Sequence, residues 1–409
     1  PAGRGAARCE GDESAMKIIS RADRSIVTEW WFTVDRVLLA AILLLAGSGL
    51  VLSLAASPAV ALKKGLHAFH FVERHAAFSV IGVGIMLAIS MMQPRMIRRV
   101  SLIVFLAALL LMICVLNFGD EINGARRWLR LGSFSIQPSE FAKPAFIVLS
   151  AWAFAETQKQ IDMPARSIAV GLLLVLAALL LMQPDVGQTF LVGSIWATLF
   201  VLSGQPLFWV GIFAAIGIFG LASAYLTLNY VRLRVDRFLA SGGDEYSQTA
   251  RALQSFVEGG FFGRGPGEGT IKTALPDAHT DFIFAVIAEE YGAVACLALV
   301  ALFAIIVLRA YFRTFTEPDP FARLAVSGLS LLFGLQAAIN MGVNVGLLPA
   351  KGMTLPFISA GGSSLVSTFF TMGIILALTR RKPGALRLRT PHSALKNENR
   401  LGGLGPATQ

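Results

Sequence analysis

Apolar residues along this chain come in long uninterrupted blocks, not in the alternation of a half-buried strand. Val37–Leu54 and Ile168–Met182, for example, contain no charged side chain. A helix needs about 20 predominantly apolar residues to cross a hydrocarbon core. Blocks of this kind predict spans near 37–54, 75–92, 100–117, 140–155, 167–182, 188–202, 207–228, 282–308, 322–347 and 361–379. The expected fold class is all-α, a polytopic membrane protein of about ten transmembrane helices.

Composition agrees with the pattern. The 409 residues are 55% hydrophobic and 15% charged, with a mean hydropathy of +0.66. Soluble domains carry about 25% charged residues, so a soluble enzyme, a fibrous protein and a disulfide-stapled secreted domain are excluded. Cys9, Cys114 and Cys296 lie far apart and give no metal spacing or disulfide framework. The net charge of +10 would suggest nucleic acid in a soluble chain; here it reports topology, and no nucleic-acid partner is expected. Arg21 and Arg24, then Arg95, Arg98 and Arg99, then Arg309, Arg313 and Arg323, then Arg380, Arg381 and Lys382 share one side by parity. By the positive-inside rule that side is the cytoplasm, which places both termini inside.

Three regions follow: a cytoplasmic tail over 1–30, a transmembrane domain over 31–380, and a basic, disordered cytoplasmic tail over 381–409. Met16-Lys17 begins a natural cytoplasmic tail, so residues 1–15 are read as non-native or upstream of the true start. The first span acts as an uncleaved anchor. Parity puts 118–139, 183–187, 229–281 and 348–360 outside. The 229–281 loop, between spans seven and eight, is too long for a simple connection, and its amphipathic stretch Ser247–Val257 suits a helix at the membrane surface.

Two outer loops break the charge rule: Arg126, Arg127 and Arg130 precede the fourth span, and Arg232, Arg234 and Arg237 follow the seventh. A phosphate or diphosphate would compensate, because guanidinium forks match its oxygens; lipid headgroups or the local acids Asp120, Glu121 and Asp236 are the plainer partners. Within the spans, Glu140 and Lys143 are spaced to pair, Asp185 follows a proline, and Gln336, Asn340 and Asn344 form one polar stripe. An intramembrane charge costs about 2.5–3.5 kcal/mol even on lenient scales, so these residues face a cavity or a partner. Interhelical glue is the favoured reading of the Glu140–Lys143 pair and of the stripe. Asp281, Glu289 and Glu290 open the eighth span. Gly263–Gly269 lacks the context of a P-loop and reads as a flexible approach to the site. His67, His70 and His75 read as a helix start at the interface, not as metal ligands, and Gly352–Leu365 reads as re-entrant backbone lining a cavity.

Several of these blocks resemble the signature of the SEDS (shape, elongation, division, sporulation) family. They are Gly124-Ala125-Arg126-Arg127-Trp128, Gln137–Lys143, Gln183-Pro184-Asp185-Val186-Gly187, Pro276–Phe284 with Glu289-Glu290, Asn340-Met341-Gly342 and Leu355–Ser364. The form Lys272–Pro276 is closer to the division branch than to the elongation branch. The resemblance implies a peptidoglycan glycosyltransferase that polymerises lipid II at the outer face of the bacterial inner membrane, at the division septum. Its implied partners are lipid II and nascent glycan, a class B penicillin-binding protein (FtsI type) and other divisome membrane proteins. Asp281 matches the family's essential aspartate, Trp128 a required tryptophan, and Glu140 with Lys143 a buried pair in the central cavity.

The expected reaction joins a glycan carried on undecaprenyl diphosphate to the 4-hydroxyl of lipid II with inversion. Asp281 is the expected base. Arg126, Trp128, Arg232, Arg234, Lys272 and Ser363 are expected to bind substrate, the cations neutralising the departing diphosphate. No cofactor is required by this scheme, and assistance by a divalent cation such as Mg²⁺ stays open. The alternatives are a lipid II transporter, whose site would lie nearer the midplane, and a division scaffold without chemistry.

Overall fold

The computed structural model describes residues 26–63, 65–122, 125–132, 134–157, 164–240, 248–275, 277–349 and 352–381. Arg21, Arg24, Lys351 and Lys382 lie outside the described residues, as do the side chains of Arg234 and Arg237 and the tails over 1–25 and 382–409.

The chain divides into two units. The smaller contains α1 (Ile26–Thr33), where the Arg381 amide donates to Thr33 O at 2.9 Å. The larger, Asp35–Arg380, begins with α2 (Arg36–Lys63), α3 (His70–Ser90) and α4 (Pro94–Phe118). Three strands follow, β1 (Asp120–Ile122), β2 (Ala125–Leu131) and β3 (Phe134–Ile136), then α5 (Pro138–Thr157), α6 (Ala165–Met182), α7 (Val186–Leu202) and α8 (Leu207–Thr227). After α9 (Asn229–Ala240) and α10 (Gln248–Gly259) come a 3₁₀ turn at Ile271–Thr273, α11 (Ile283–Thr314), α12 (Pro320–Asn344) and α13 (Gly362–Leu378).

Every predicted block carries a helix, because a long apolar run can satisfy its backbone in lipid only by bonding within itself. By length and composition, α2, α3, α4, α6, α11 and α12 are sufficient to cross a membrane; α7, α13 and the Gly211–Thr227 part of α8 are apolar but shorter. The all-α expectation is corrected in one place. The 118–139 loop forms an antiparallel sheet in the order β1-β2-β3, with Asp120 opposite Trp128 and Leu129 opposite Ile136. Its signal is local: Arg126, Trp128 and Arg130 alternate with Arg127, Leu129 and Leu131, a period of two.

The core forms around α5 and α12, which pack on each other; α5 also touches α4, α6, α7 and α13. Helix α5 is buried almost from end to end, including Glu140 and Lys143, and so is much of α12. Helices with purely apolar flanks lie outside them, as Leu102, Ile103, Leu106 and Leu110 of α4 show by their exposure.

Helix α11 is interrupted at Gly292 (φ 78°, ψ 179°). In an unbroken helix the amides of residues 293 and 294 would bond to the carbonyls of 289 and 290. Instead Ala293 N donates to Gly260 O (2.9 Å) and Val294 N to Phe261 O (3.2 Å). The released carbonyls of Glu289 and Glu290 accept from Arg264 N (2.9 Å) and Gly265 N (3.0 Å). The turn after α10 is thus spliced into the helix ladder. Glycine makes the approach possible, since a Cβ at Gly259, Gly263 or Gly292 would collide with the main chain of Ala288, Glu290 or Phe261 respectively. The Gly263–Gly269 run, expected to be a flexible approach, is instead fastened to α11.

Candidate active site

Asp281 sits on the turn leading into α11, half-buried, with its amide donating to Asp277 O at 3.1 Å. Its own carbonyl accepts from Asn340 Nδ2 (3.0 Å) and Asn344 Nδ2 (2.9 Å). Asn344 also accepts from Ala285 N at 3.1 Å through Oδ1, which caps the first turn of α11. Asn340 Nδ2 reaches Met353 O at 2.6 Å, and Gln336 Nε2 reaches Thr354 O at 3.4 Å. The polar stripe of α12 therefore grips two stretches of irregular backbone. This adds to its reading as interhelical glue, which the bonds of Asn344 to Ala285 N on α11 and of Gln336 to Lys143 on α5 bear out: carbonyls outside a helix need donors, and the buried amides supply them.

The segment after α12 wraps the same turn. Ser359 Oγ donates to Thr280 O at 2.6 Å, and Ala360 N donates to His279 O at 3.0 Å. Gly352, at φ +65°, passes beside the carboxylate: a Cβ there would lie 3.5 Å from Asp281 Oδ2. The expected re-entrant backbone over Gly352–Leu365 thus frames the aspartate.

A second cluster lies inside the bundle. Lys143 Nζ donates to Glu140 Oε1 (2.8 Å), Gln188 Oε1 (3.0 Å) and Gln336 Oε1 (3.4 Å). Gln188 Nε2 donates to Glu140 Oε1 at 3.3 Å, so the buried ammonium is held by one carboxylate and two amide oxygens, and that carboxylate by the ammonium and one amide. Gln336 joins this cluster to the Asp281 region. On the other side, Asp185 caps α7 by accepting from Gln188 N at 3.2 Å and pairs with Arg127 at 3.6 Å. Burial pushes the Asp185 carboxyl up; the charges of Arg127 and Lys143 oppose this only in part. Arg127 Nε also donates to Gln183 O at 3.2 Å, and a second nitrogen reaches Pro184 O. A polar chain therefore runs from Arg127 on the small sheet through Asp185, Gln188, Lys143 and Gln336 to the main chain of Met353-Thr354, which Asn340 ties to Asp281 O.

The other expected site residues are dispersed. Arg126 pairs with Glu121 at 3.5 Å, and Arg232 on α9 pairs with Asp236 at 3.6 Å, both exposed. Trp128 lies half-buried on β2, and Ser363 Oγ in the first turn of α13 accepts from Gln137 N at 3.3 Å. Lys272 requires a correction. Its ammonium is buried, ion-paired to Glu290 and bonded to Ala55 O and Gly267 O at 3.2 Å each, leaving it no exposed face for a diphosphate. Glu289 accepts from Thr270 N (2.6 Å), Ile271 N (2.8 Å) and Lys272 N (3.2 Å), and thus clamps the 3₁₀ turn. Among the described residues no group of three or more His, Cys, Asp or Glu is placed to hold a metal ion. His67 pairs with Glu73 at 3.8 Å. Sequence reasoning named Arg127 only within the outer arginine cluster and its motif, without a site role, and passed over Gln188. The β2 alternation marks the first as facing opposite to Arg126, and helix N-cap spacing from Asp185 marks the second.

Residues 35–383 match the family model described as cell cycle protein, shared by FtsW, RodA and SpoVE. The chain is 44% identical over 373 residues to a probable peptidoglycan glycosyltransferase FtsW of Caulobacter vibrioides, covering 91% of this chain and 96% of the relative. A probable peptidoglycan glycosyltransferase FtsW of Pseudomonas fluorescens is 35% identical over 376 residues, covering 88% and 91%. Among solved structures, a chain of a peptidoglycan synthase complex with coordinated polymerization and crosslinking matches at TM-score 0.71 and 28% identity, covering 85% of this chain and 98% of that one. The rod shape determining protein RodA of Thermus thermophilus matches at TM-score 0.63 and 27% identity, covering 85% and 97%.

Proposed function

The chain belongs to the cell cycle protein family of FtsW, RodA and SpoVE, the SEDS family, and on that premise we propose that it is a peptidoglycan glycosyltransferase of the division type. It polymerises lipid II into β-1,4 glycan at the outer face of the inner membrane, at the septum. It crosses that membrane ten times with both termini in the cytoplasm, and works beside a class B penicillin-binding protein that crosslinks the product.

In this mechanism the Asp281 carboxylate takes the proton from the 4-hydroxyl of lipid II as that oxygen attacks the anomeric carbon of the donor glycan. The bond to undecaprenyl diphosphate breaks on the opposite face, which inverts the configuration and requires no covalent enzyme intermediate. A positioned base contributes about 10²–10⁴-fold. Arg126, Arg232 and Arg234 are the cations for the leaving diphosphate. Exposed pairs such as Arg126–Glu121 and Arg232–Asp236 are worth about 1 kcal/mol or less, so these guanidinium groups exchange partners at little cost. Trp128 and Ser363 border the substrate, and the Glu140–Lys143 pair keeps the interior wall polar.

The observation that carries this reading is a half-buried carboxylate whose main chain is immobilised by two buried amides while its side chain stays beside a bare glycine. The test is Asp281→Asn, assayed for lipid II polymerisation after purification with its penicillin-binding partner. Asparagine keeps the size and the local turn, so the variant should fold, bind its partner and make no glycan. Near-normal polymer from it would sink the assignment of Asp281 as base.

A further inference from the structure

We propose that the turn spliced into α11 dips into the outer leaflet and presents Phe261 and Phe262 to lipid acyl chains. The inference rests on the topology given above, in which α11 spans the membrane.

Depth comes from helix geometry. Arg309 near the cytoplasmic end of α11 marks the inner boundary of the hydrocarbon, and Val294 lies fifteen helical residues above it. At 1.5 Å per residue that is about 22 Å, against a core about 30 Å thick. Val294 N bonds to Phe261 O, so the apex of the turn lies about 8 Å below the outer boundary. That is the depth at which amphipathic segments seat their apolar side chains, about 5–10 Å.

Exposure and chemistry match this level. Val257, Phe261 and Phe262 are 81%, 75% and 85% exposed, and they continue the apolar flank of α11 formed by Val294 and Leu297. The nearest charges, Glu258 and Arg264, pair with each other.

Irregular backbone at membrane depth survives only when its polar groups are satisfied by protein. Here they are. Gly260 O and Phe261 O accept from Ala293 N and Val294 N, Gly260 N donates to Phe256 O at 3.2 Å, and Gly263 N donates to Gly259 O at 2.8 Å. The break in α11 supplies the donors that lipid cannot. The occupant is therefore the acyl chains continuous with the α11 flank, and the turn seats the outer loop at a fixed height in the leaflet.

The test uses the full chain, with Cys9, Cys114 and Cys296 replaced by serine, reconstituted without any partner. A fluorescent label at Phe262→Cys should show blue-shifted emission, lose quenching by aqueous iodide, and be quenched by phospholipid carrying a nitroxide on the upper acyl chain more than by one carrying it near the methyl end. Val257→Cys provides a second labelling site if Phe262→Cys folds poorly. Leu347→Cys is the aqueous control and Leu297→Cys the lipid control. Iodide quenching at Phe262 with lipid quenching at Leu297 overturns the proposal and leaves the topology standing. Loss of lipid quenching at Leu297 overturns the topology and the proposal with it. Shielding of Phe262 from both quenchers overturns the proposal in favour of a protein occupant.

Discussion

Replacing Asn340 tests whether the α12 amides position Asp281. The Asn340 nitrogen donates to Asp281 O at 3.0 Å and to Met353 O at 2.6 Å, in a side chain that is 2% exposed. Leucine has the same branched shape and is larger, so Asn340→Leu opens no cavity, removes both hydrogen bonds and adds an overpacking cost of its own. Each buried hydrogen bond contributes about 0.5–1.5 kcal/mol net, and a stranded buried carbonyl costs about 1–3 kcal/mol. Asp281 O keeps Asn344 as a partner, whereas Met353 O loses this one, so the lost bonding destabilises by about 1.5–4.5 kcal/mol. The effect on rate is the larger one. Letting the 281 and 353 segments drift by about 1 Å costs about 10²-fold when geometry is catalytic. Asn340 touches no substrate in the proposed reaction, so the loss should appear in kcat with KM little changed. Asn340→Asp sharpens the test, since an isosteric carboxylate offers acceptors to two carbonyl oxygens and should be as damaging as leucine. Lipid II polymerisation and melting of the purified partner complex measure both effects. A fully active, normally stable Asn340→Asp protein would refute the argument.

Other expectations follow from the same structure. Glu289→Gln keeps the oxygen that accepts from Thr270 and Ile271 but turns an NH₂ towards the Lys272 amide, so it should lower stability by about 1–3 kcal/mol and still polymerise. Glu289→Ala strands all three amides and should melt far earlier; loss of chemistry in a well-folded Glu289→Gln would instead indicate a proton-transfer role. At the cytoplasmic end, Asp35 bonds to Arg309 (3.1 Å) and Arg313 (2.7 Å). Burial pushes its carboxyl up, but the two arginines outweigh this and hold it below the usual carboxylate range. A depressed acid stabilises above its unfolded pKa and loses that contribution as pH falls through its folded pKa. Melting temperature should therefore drop on acidification below about pH 4, and Asp35→Asn should be less stable at neutral pH with a shallower acid limb. An unchanged acid limb in that variant would assign the effect to other carboxylates.

What the sequence made legible was whatever is local. Blocks of apolar residues predicted every long helix because hydrophobic length is a property of consecutive residues. Asp281 stood out because a carboxylate at the start of an apolar span demands a reason. The small sheet was obscured by its brevity, since seven residues of β2 hold only three full alternations. Lys272 was misread because its partner is Glu290, eighteen residues on, and the fold that joins them is set by backbone contacts. Gln336, Asn340 and Asn344 were visible as a stripe at i, i+4 spacing. Their targets, the carbonyls of residues 281, 353 and 354, belong to non-helical backbone that no side-chain pattern reports.

The splice at Gly292 also bears on how the chain is made. Residues 256–265 leave the ribosome before α11 exists, and until it arrives the carbonyls of Gly260 and Phe261 lack the Ala293 and Val294 donors that the proposed depth in the leaflet would require. An early turn must therefore wait in water, where its backbone is hydrated. Helix α11 can meanwhile enter as an unbroken rod, its residue 289 and 290 carbonyls serving its own 293 and 294 amides. Only afterwards can the turn displace those two bonds and take their place. At the proposed depth, therefore, biogenesis would run insertion first and splicing second, and the outer loop leading to Asp281 would be fastened to α11 only in that second step.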